Sequence, residues 1–388
     1  ITANGVTTIS GNLTTNGITT ISGNLNNNGS TTISGNLSVN NQQIKVDTNG
    51  NIAFIPQSGT GFVITNAGTT TTTGANSKEK SIDYSKIPTY PDHKSAKLKE
   101  SLSKYLGLPI TNITIGNGAT ELIYDFCRIL AKSNAMIVSP TFGEYEAAAR
   151  MYCKKVEFFT TLNLESDLQH FIKKIPQNAL IFVCNPNNPT GQLLSRKSMI
   201  KLLEAAKKSS SLLFVDESFI ELTQNPKESV AGLVNKYPNL FVLRSMTKSF
   251  GLAGLRIGYA VANKKMIAIL DKVKIPWNIN VLAHQAGIVA LSDKKFLDKT
   301  RKLILSESKF LLDSISKIEG FSCFDTATNF ILIKTKQPAK ILKKKLLQKN
   351  ILIRDCSNFR GLDSHYIRIA IRSRKENQRL VLALEKIS

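Results

Sequence analysis

Several residue types that define other protein classes are scarce in this 388-residue sequence. Its five cysteines, Cys127, Cys153, Cys184, Cys323 and Cys356, form no Cys-x-x-Cys pair, which argues against a zinc ribbon or a dithiol redox centre and points to reduced thiols. His93, His170, His284 and His365 are the only histidines and lack metal-ligand spacing, so no metal is expected. No apolar run approaches the ~18 residues of a membrane span, and no membrane partner is expected. Acidic residues are outnumbered 28 to 51, giving a net charge of +23. The basic residues are scattered over amphipathic stretches and not interleaved with aromatics, so they read as a solvated surface and a field for small anions, not as a nucleic-acid interface. A cytoplasmic protein is expected.

The first 77 residues are almost free of charge: Lys45 and Asp47 are their only charged side chains and cancel. Thr7 to Leu13 reads TTISGNL, and the same string recurs at Thr19 to Leu25 and Thr31 to Leu37, a period of 12 with Asn-Gly turns between. Short Thr/Ile runs closed by residues that tolerate positive φ suggest stacked β-structure or a fibre shaft, with low-complexity coil as the alternative. The string resembles shaft repeats of phage-fibre and adhesin-like proteins. A threonine run from Thr69 to Gly74 reads as a linker, and composition changes near Asn76 to Lys, Leu, Ile and Glu. This predicts a repeat segment over 1–77 and an enzyme over 78–388.

Within 78–388, helical periodicity over 94–105 and 198–209 alternates with short apolar strands at 135–138, 180–184, 212–215 and 240–244. Such alternation predicts an α/β fold with a mostly parallel sheet and crossover helices, whose site lies at the strand carboxyl ends. The expected division is a large domain over about 116–290 and a smaller α/β domain over about 291–388 joined by 78–115.

Four strings fall at such strand ends. Ile115-Gly116-Asn117-Gly118-Ala119-Thr120-Glu121 leads a strand into a helix and exposes backbone N–H groups that suit a phosphate. Cys184-Asn185-Pro186-Asn187-Asn188-Pro189-Thr190-Gly191 stiffens the chain with proline and can project an asparagine amide. Asp216 ends the apolar run Leu212 to Val215, where a buried carboxylate needs a cation. Lys248 lies in Arg244-Ser245-Met246-Thr247-Lys248-Ser249-Phe250, shortly before Gly254-Leu255-Arg256-Ile257-Gly258. Alone, a lysine among Ser and Thr reads as a surface residue; the order and spacing of all four strings give it another meaning.

Together they resemble the class I/II aminotransferases, fold-type-I enzymes that use pyridoxal 5'-phosphate, over about Ile87 to the C-terminus. The resemblance is to the branch shared by histidinol-phosphate aminotransferase and threonine-phosphate decarboxylase. It implies that Lys248 holds the cofactor as a Schiff base and acts catalytically, that Asp216 faces the pyridine nitrogen, that Asn188 faces the ring hydroxyl, and that Phe142 stacks on the ring. It further implies a phosphate cup of Ala119, Thr120, Ser245, Thr247 and Arg256, with Tyr90 reaching in across a homodimer interface. Arg368 is implied for the substrate carboxylate, Arg354 for a substrate phosphate, and Asn188 for substrate contact as well.

Position 219 separates the two activities. The aminotransferase branch has DEAY, whose tyrosine donates to the cofactor, whereas this sequence has Asp216-Glu217-Ser218-Phe219. Pro140-Thr141-Phe142-Gly143-Glu144-Tyr145, Pro276-Trp277-Asn278-Ile279-Asn280 and Ile351 to Phe359 are similar to the decarboxylases of cobalamin biosynthesis. The implied reaction converts L-threonine O-3-phosphate to (R)-1-amino-2-propanol O-2-phosphate and carbon dioxide. Histidinol-phosphate aminotransfer, or an attachment protein with an inactive enzyme domain, stand as alternatives. The family carries a substrate-covering arm before its Tyr-Pro pair; here the repeats occupy that place.

Overall fold

A computed structural model of the chain describes residues 82–387 and short strands at 2–3, 7–9, 13–16, 19–21, 25–27, 31–34, 36–39, 42–46 and 52–55. The expected linker at Thr69 to Gly74 and the composition boundary near Asn76 lie outside these residues. The chain divides into two compact units, Ile1–Tyr90 and Pro91–Ser388.

In the first unit, parallel partners are spaced more widely than the sequence repeat. Thr2 pairs with Thr20, Thr7 with Leu25, Leu13 with Thr31 and Thr19 with Leu37, each 18 positions apart. A 12-residue sequence period and an 18-residue register share a divisor of six. The strands begin about every six residues, and each of the first four pairs with the third strand after it through parallel backbone hydrogen bonds. Strands Gln42–Val46 and Ile52–Ile55 extend one stack as antiparallel neighbours.

The second unit opens with α1 (Ala96–Leu106), β1 (Ile113–Asn117), α2 (Ala119–Ile129), β2 (Asn134–Ser139), α3 (Glu144–Tyr152), β3 (Lys155–Thr160), α4 (Leu164–Lys173), β4 (Ala179–Cys184), α5 (Arg196–Lys208) and β5 (Leu212–Asp216). It continues with β6 (Leu240–Ser245), the single turn α6 (Met246–Ser249), β7 (Ile257–Ala262), α7 (Lys264–Lys272) and α8 (Val281–Ser292). The seven strands form one sheet in the order β1-β7-β6-β5-β4-β2-β3, parallel except for β7, which runs against both its neighbours. This is the fold-type-I arrangement expected from the sequence.

Alternate residues of these apolar strands enter two cores, one on each face. Ile181, Val183, Leu213 and Val215 pack on one side with Leu98 and Leu102 of α1 and Met199 and Leu202 of α5. Leu180, Phe182 and Phe214 pack on the other with Phe126 of α2 and Tyr145 of α3. Phe126 lies 4.8 Å from Phe241, 5.0 Å from Phe214 and 5.9 Å from Phe182 between ring centroids.

A smaller, wholly antiparallel sheet follows, with β8 (Phe321–Cys323), β9 (Phe330–Thr335), β10 (Arg354–Asp355) and β11 (Tyr366–Ala370) in the order β8-β9-β11-β10. The helices α9 (Lys294–Ile315), α10 (Ala339–Leu347) and α11 (Arg374–Glu385) accompany it. Leu297 of α9 belongs to the large core while Leu311 and Ile315 belong to the small one, so a single helix spans both. One expectation is corrected here. The stretch 96–115 does not go with the small domain: Leu98, Leu102, Ile113 and Ile115 are buried in the large core, and β1 is an edge strand of the large sheet.

Candidate active site

The carboxyl ends of β4, β5 and β6 converge on one cavity of about 210 Å³. Its walls include Ala119, Thr120, Phe142, Asn188, Asp216, Ser245, Thr247, Lys248 and Arg256, nine of the residues singled out from the sequence. They come from six separate segments, and the sheet brings them together because strand ends in an α/β fold are where side chains leave the packed core.

Asp216 is the last residue of β5 and only 5% exposed. Its Oδ2 accepts from the Tyr145 hydroxyl at 2.5 Å and its Oδ1 from the Ser218 amide at 2.8 Å. Burial pushes its carboxyl above the ordinary carboxylate range, opposed by hydrogen bonds from Ser218 and Tyr145 and by the charge of Lys248. Such a carboxylate, held by neutral donors inside a cavity, is suited to an N–H cation.

Lys248 sits on α6, directly beyond β6. Burial lowers its ammonium pKa, and Arg368 and Arg256 push it the same way, with Asp216 opposing. A depressed pKa is what an amine needs to attack a carbonyl near neutrality.

Ala119 and Thr120 open α2, whose first backbone N–H groups have no helical partners. Gly118 precedes them at φ +79°, and a Cβ there would stand 2.5 Å from Arg256 Nη2. Gly258 is pressed as closely against the backbone of Ala119, at 2.4 Å for an added Cβ. The absence of two side chains thus lets Arg256 and β7 close on the helix start. Ser245 Oγ and Thr247 Oγ1 are 2.6 Å apart at the same cavity. An aromatic wall, a buried carboxylate, a lysine and a helix-start cup with an arginine fit a planar, phosphorylated pyridine aldehyde. The proposed cofactor residues are chemically consistent with one another.

Two substrate candidates lie at the rim. Arg368 of β11 donates to Asn188 Oδ1 and lies over the Phe330 ring at 4.8 Å. Arg354 faces a second cavity of about 600 Å³, which shares Phe142 with the first, and donates to Asn358 Oδ1 at 3.0 Å. Arg354 and Arg368 are cross-strand partners on β10 and β11. Like charges set opposite each other repel unless an anion lies between them. Tyr90 belongs to the first unit and is 84% exposed.

Sequence reading did not assign a role to Tyr145. Phe142, just before α3, and Tyr145 within it meet edge-on with ring centroids 5.8 Å apart, a contact set by the turn into the helix and not by helical spacing. Also unassigned was a buried ionic cluster behind α6. Arg244 donates to Glu217 and, at 2.5 Å, to Glu221, and Glu221 accepts from Ser249 next to Lys248 at 2.9 Å. No helix among the described residues is long and apolar enough to cross a membrane, and none of their acidic, His and Cys side chains group into a metal site.

Comparison with known proteins agrees with this fold. Residues 61–384 match the family described as aminotransferase class I and II. A protein of Caldanaerobacter subterraneus subsp. tengcongensis named "Putative threonine-phosphate decarboxylase" is 38% identical over 310 residues, 79% of this chain and 84% of that one. The histidinol-phosphate aminotransferase of Thermoanaerobacter pseudethanolicus is 36% identical over 312 residues, 79% of this chain and 86% of the relative. The crystal structure of histidinol-phosphate aminotransferase from Clostridium acetobutylicum superposes with a TM-score of 0.72 at 32% identity, covering 78% of this chain and 91% of that one. The chain belongs to the class I and II aminotransferase family, whose enzymes use pyridoxal 5'-phosphate.

Proposed function

We propose that the chain is a threonine-phosphate decarboxylase, converting L-threonine O-3-phosphate to (R)-1-amino-2-propanol O-2-phosphate and carbon dioxide in cobalamin biosynthesis. The observation that carries this reading is Phe219. It is buried, meets Phe330 edge-on at 5.2 Å, and puts a ring with no donor where aminotransferases of the resembling branch place a tyrosine. Phe330 in turn underlies Arg368. The relative at 38% identity supports the same choice.

Pyridoxal phosphate, when bound, supplies an electron sink for whichever substrate Cα bond stands perpendicular to its ring. The selection of that bond falls to the protein. Arg368, held against Asn188 and Phe330, takes the substrate carboxylate, and Arg354 takes the phosphate at the other end of the molecule. Fixing both ends would restrict rotation about the substrate Cα bonds and so select the one that reacts. Lys248 would anchor the cofactor, and its Nζ would carry the proton that replaces the departing carboxylate on Cα. Asp216, oriented by the Tyr145 hydroxyl, would hold the pyridine nitrogen, Phe142 would stack on the ring and Asn188 would meet its hydroxyl. Ala119, Thr120, Ser245, Thr247 and Arg256 hold its phosphate, with Tyr90 contributed across a homodimer. The repeat segment and the enzyme are separate domains of a cytoplasmic chain.

The test is turnover of threonine phosphate by cofactor-loaded protein. Carbon dioxide released without any 2-oxoacid supports the decarboxylase. Strict dependence on 2-oxoglutarate, with histidinol phosphate as amino donor, would instead establish the aminotransferase, the activity named for the relative at 36% identity.

A further inference from the structure

The turn after β10 is tied to the large domain by one arginine. Arg360 Nη2 and Nε donate to Glu146 Oε1 and Oε2 of α3 at 2.8 and 3.1 Å, a two-pronged ion pair between residues 214 positions apart. Its guanidinium also lies 4.1 Å over the Phe158 ring of β3. The next residue, Gly361, has φ +89° and comes so close to β3 that a Cβ would stand 2.6 Å from Thr160 Cγ2. Ion pair, ring contact and glycine together seat the turn on the ends of α3 and β3.

That turn carries the site's outer wall. Arg354, Ser357, Asn358, Phe359 and Arg360 line one side of the cavity of about 600 Å³. Arg354 is oriented by the same turn, through its bond to Asn358 and its contact with the Phe359 ring at 5.6 Å. Opposite stand Phe142 and Glu146, the first of which also borders the Lys248 cavity. Any displacement of the turn from α3 therefore displaces Arg354.

We propose that Arg360, paired with Glu146, is a positioning residue that latches the Arg354 turn onto the large domain and so sets the enzyme's preference for phosphorylated over unphosphorylated amino substrates. The inference rests on the assignment of Arg354 to the substrate phosphate. Arg360 need not touch substrate: its guanidinium is taken up by Glu146 and Phe158. The pair holds the Glu146 carboxyl below its ordinary range, chiefly through the bond from Arg360 and further through that from Arg150. A half-exposed ion pair and a cation–π contact together are worth roughly a tenfold change in an equilibrium.

The variants are R360Q, which loses the charge, and R360K, which keeps it. For cofactor-loaded R360Q, KM for threonine phosphate should rise about tenfold with kcat within about twofold, KM for unphosphorylated threonine should not change, and R360K should recover part of the loss. Amide deuterium exchange supplies a readout independent of turnover. O-phosphothreonine and histidinol phosphate should each slow exchange at Phe359 and Leu362 in the parent protein and much less in R360Q, at an unchanged melting temperature. Equal KM changes for phosphorylated and unphosphorylated substrates, or equal exchange protection in parent and R360Q, would overturn the latch. Failure of the parent to decarboxylate threonine phosphate while exchange protection persists would overturn the decarboxylase reading and leave the latch standing.

Discussion

At Lys248 two influences oppose each other, and their balance sets the pH at which the amine can react. Burial and the nearby charges of Arg368 and Arg256 disfavour the ammonium, while Asp216 favours it. Replacing Arg368 by glutamine removes a repulsive charge, so the ammonium is stabilised, the lysine pKa rises, and the neutral amine appears only at higher pH. Capture of pyridoxal phosphate by the apo-protein, followed by absorbance against pH, should shift to higher pH in this variant; an unchanged or lowered midpoint would show that Arg368 does not act on the lysine. Asp216 offers a second test. Tyr145→Phe deletes its tyrosine donor and leaves those of Ser218, and a hydrogen bond to a buried carboxylate contributes ~1.5–3 kcal/mol. Cofactor affinity measured by equilibrium titration should fall by roughly ten- to a hundredfold.

Among the elements, α6 depends on what lies beneath it. Glu221 accepts from Arg244, Ser249 and Tyr259, and all four side chains are buried. Removing one member of a buried ion pair strands the others, so Glu221→Ala should destabilise the protein by ~3–5 kcal/mol in denaturant unfolding. At the other end of the chain, α11 begins with a reciprocal cap, in which the Ser373 side chain takes the third backbone N–H and Glu376 reaches back to the cap. Bonds from Arg372 and Ser373 lower the Glu376 carboxyl to about 2. A depressed carboxyl stabilises the fold above its unfolded pKa, ~4.3, and that contribution is lost as pH falls toward about 2. Glu376→Gln should abolish this part of the acid dependence, read as melting temperature across that window.

These elements were legible to different degrees. The apolar run read at 240–244 is the strand Leu240–Ser245, and the helix read at 198–209 is Arg196–Lys208, because contiguous periodicity encodes both. The 18-residue register of the first unit was not legible from a 12-residue repeat. A repeat of strings names the unit that recurs, whereas the register depends on which strand pairs with which.

At the scale of the whole molecule, a net charge of +23 should act on encounter and not on chemistry. Raising ionic strength from ~0.01 to ~1 M shortens the Debye length from ~30 to ~3 Å. kcat/KM for a multiply charged anionic substrate should therefore fall with salt while kcat holds, as steady-state kinetics can show. The large and small cores meet along α9, which contributes side chains to each. The grouping of 96–115 with the small domain failed for a tertiary reason: nothing local distinguishes a helix that packs on one sheet from a helix that packs on another.

The sequence by itself determined the class of fold, the alternation of strands and helices, and the short strings that end at strand termini. Propensity, periodicity and turn chemistry are carried by neighbouring residues and need no folded context. Tertiary structure alone decided which distant groups meet. Tyr145 and Asp216 are 71 positions apart, Arg368 and Asn188 are 180, and Arg360 and Glu146 are 214. No local pattern specifies such a pairing, because each becomes definite only when the sheet order and the seating of the small domain bring separate segments within hydrogen-bond distance.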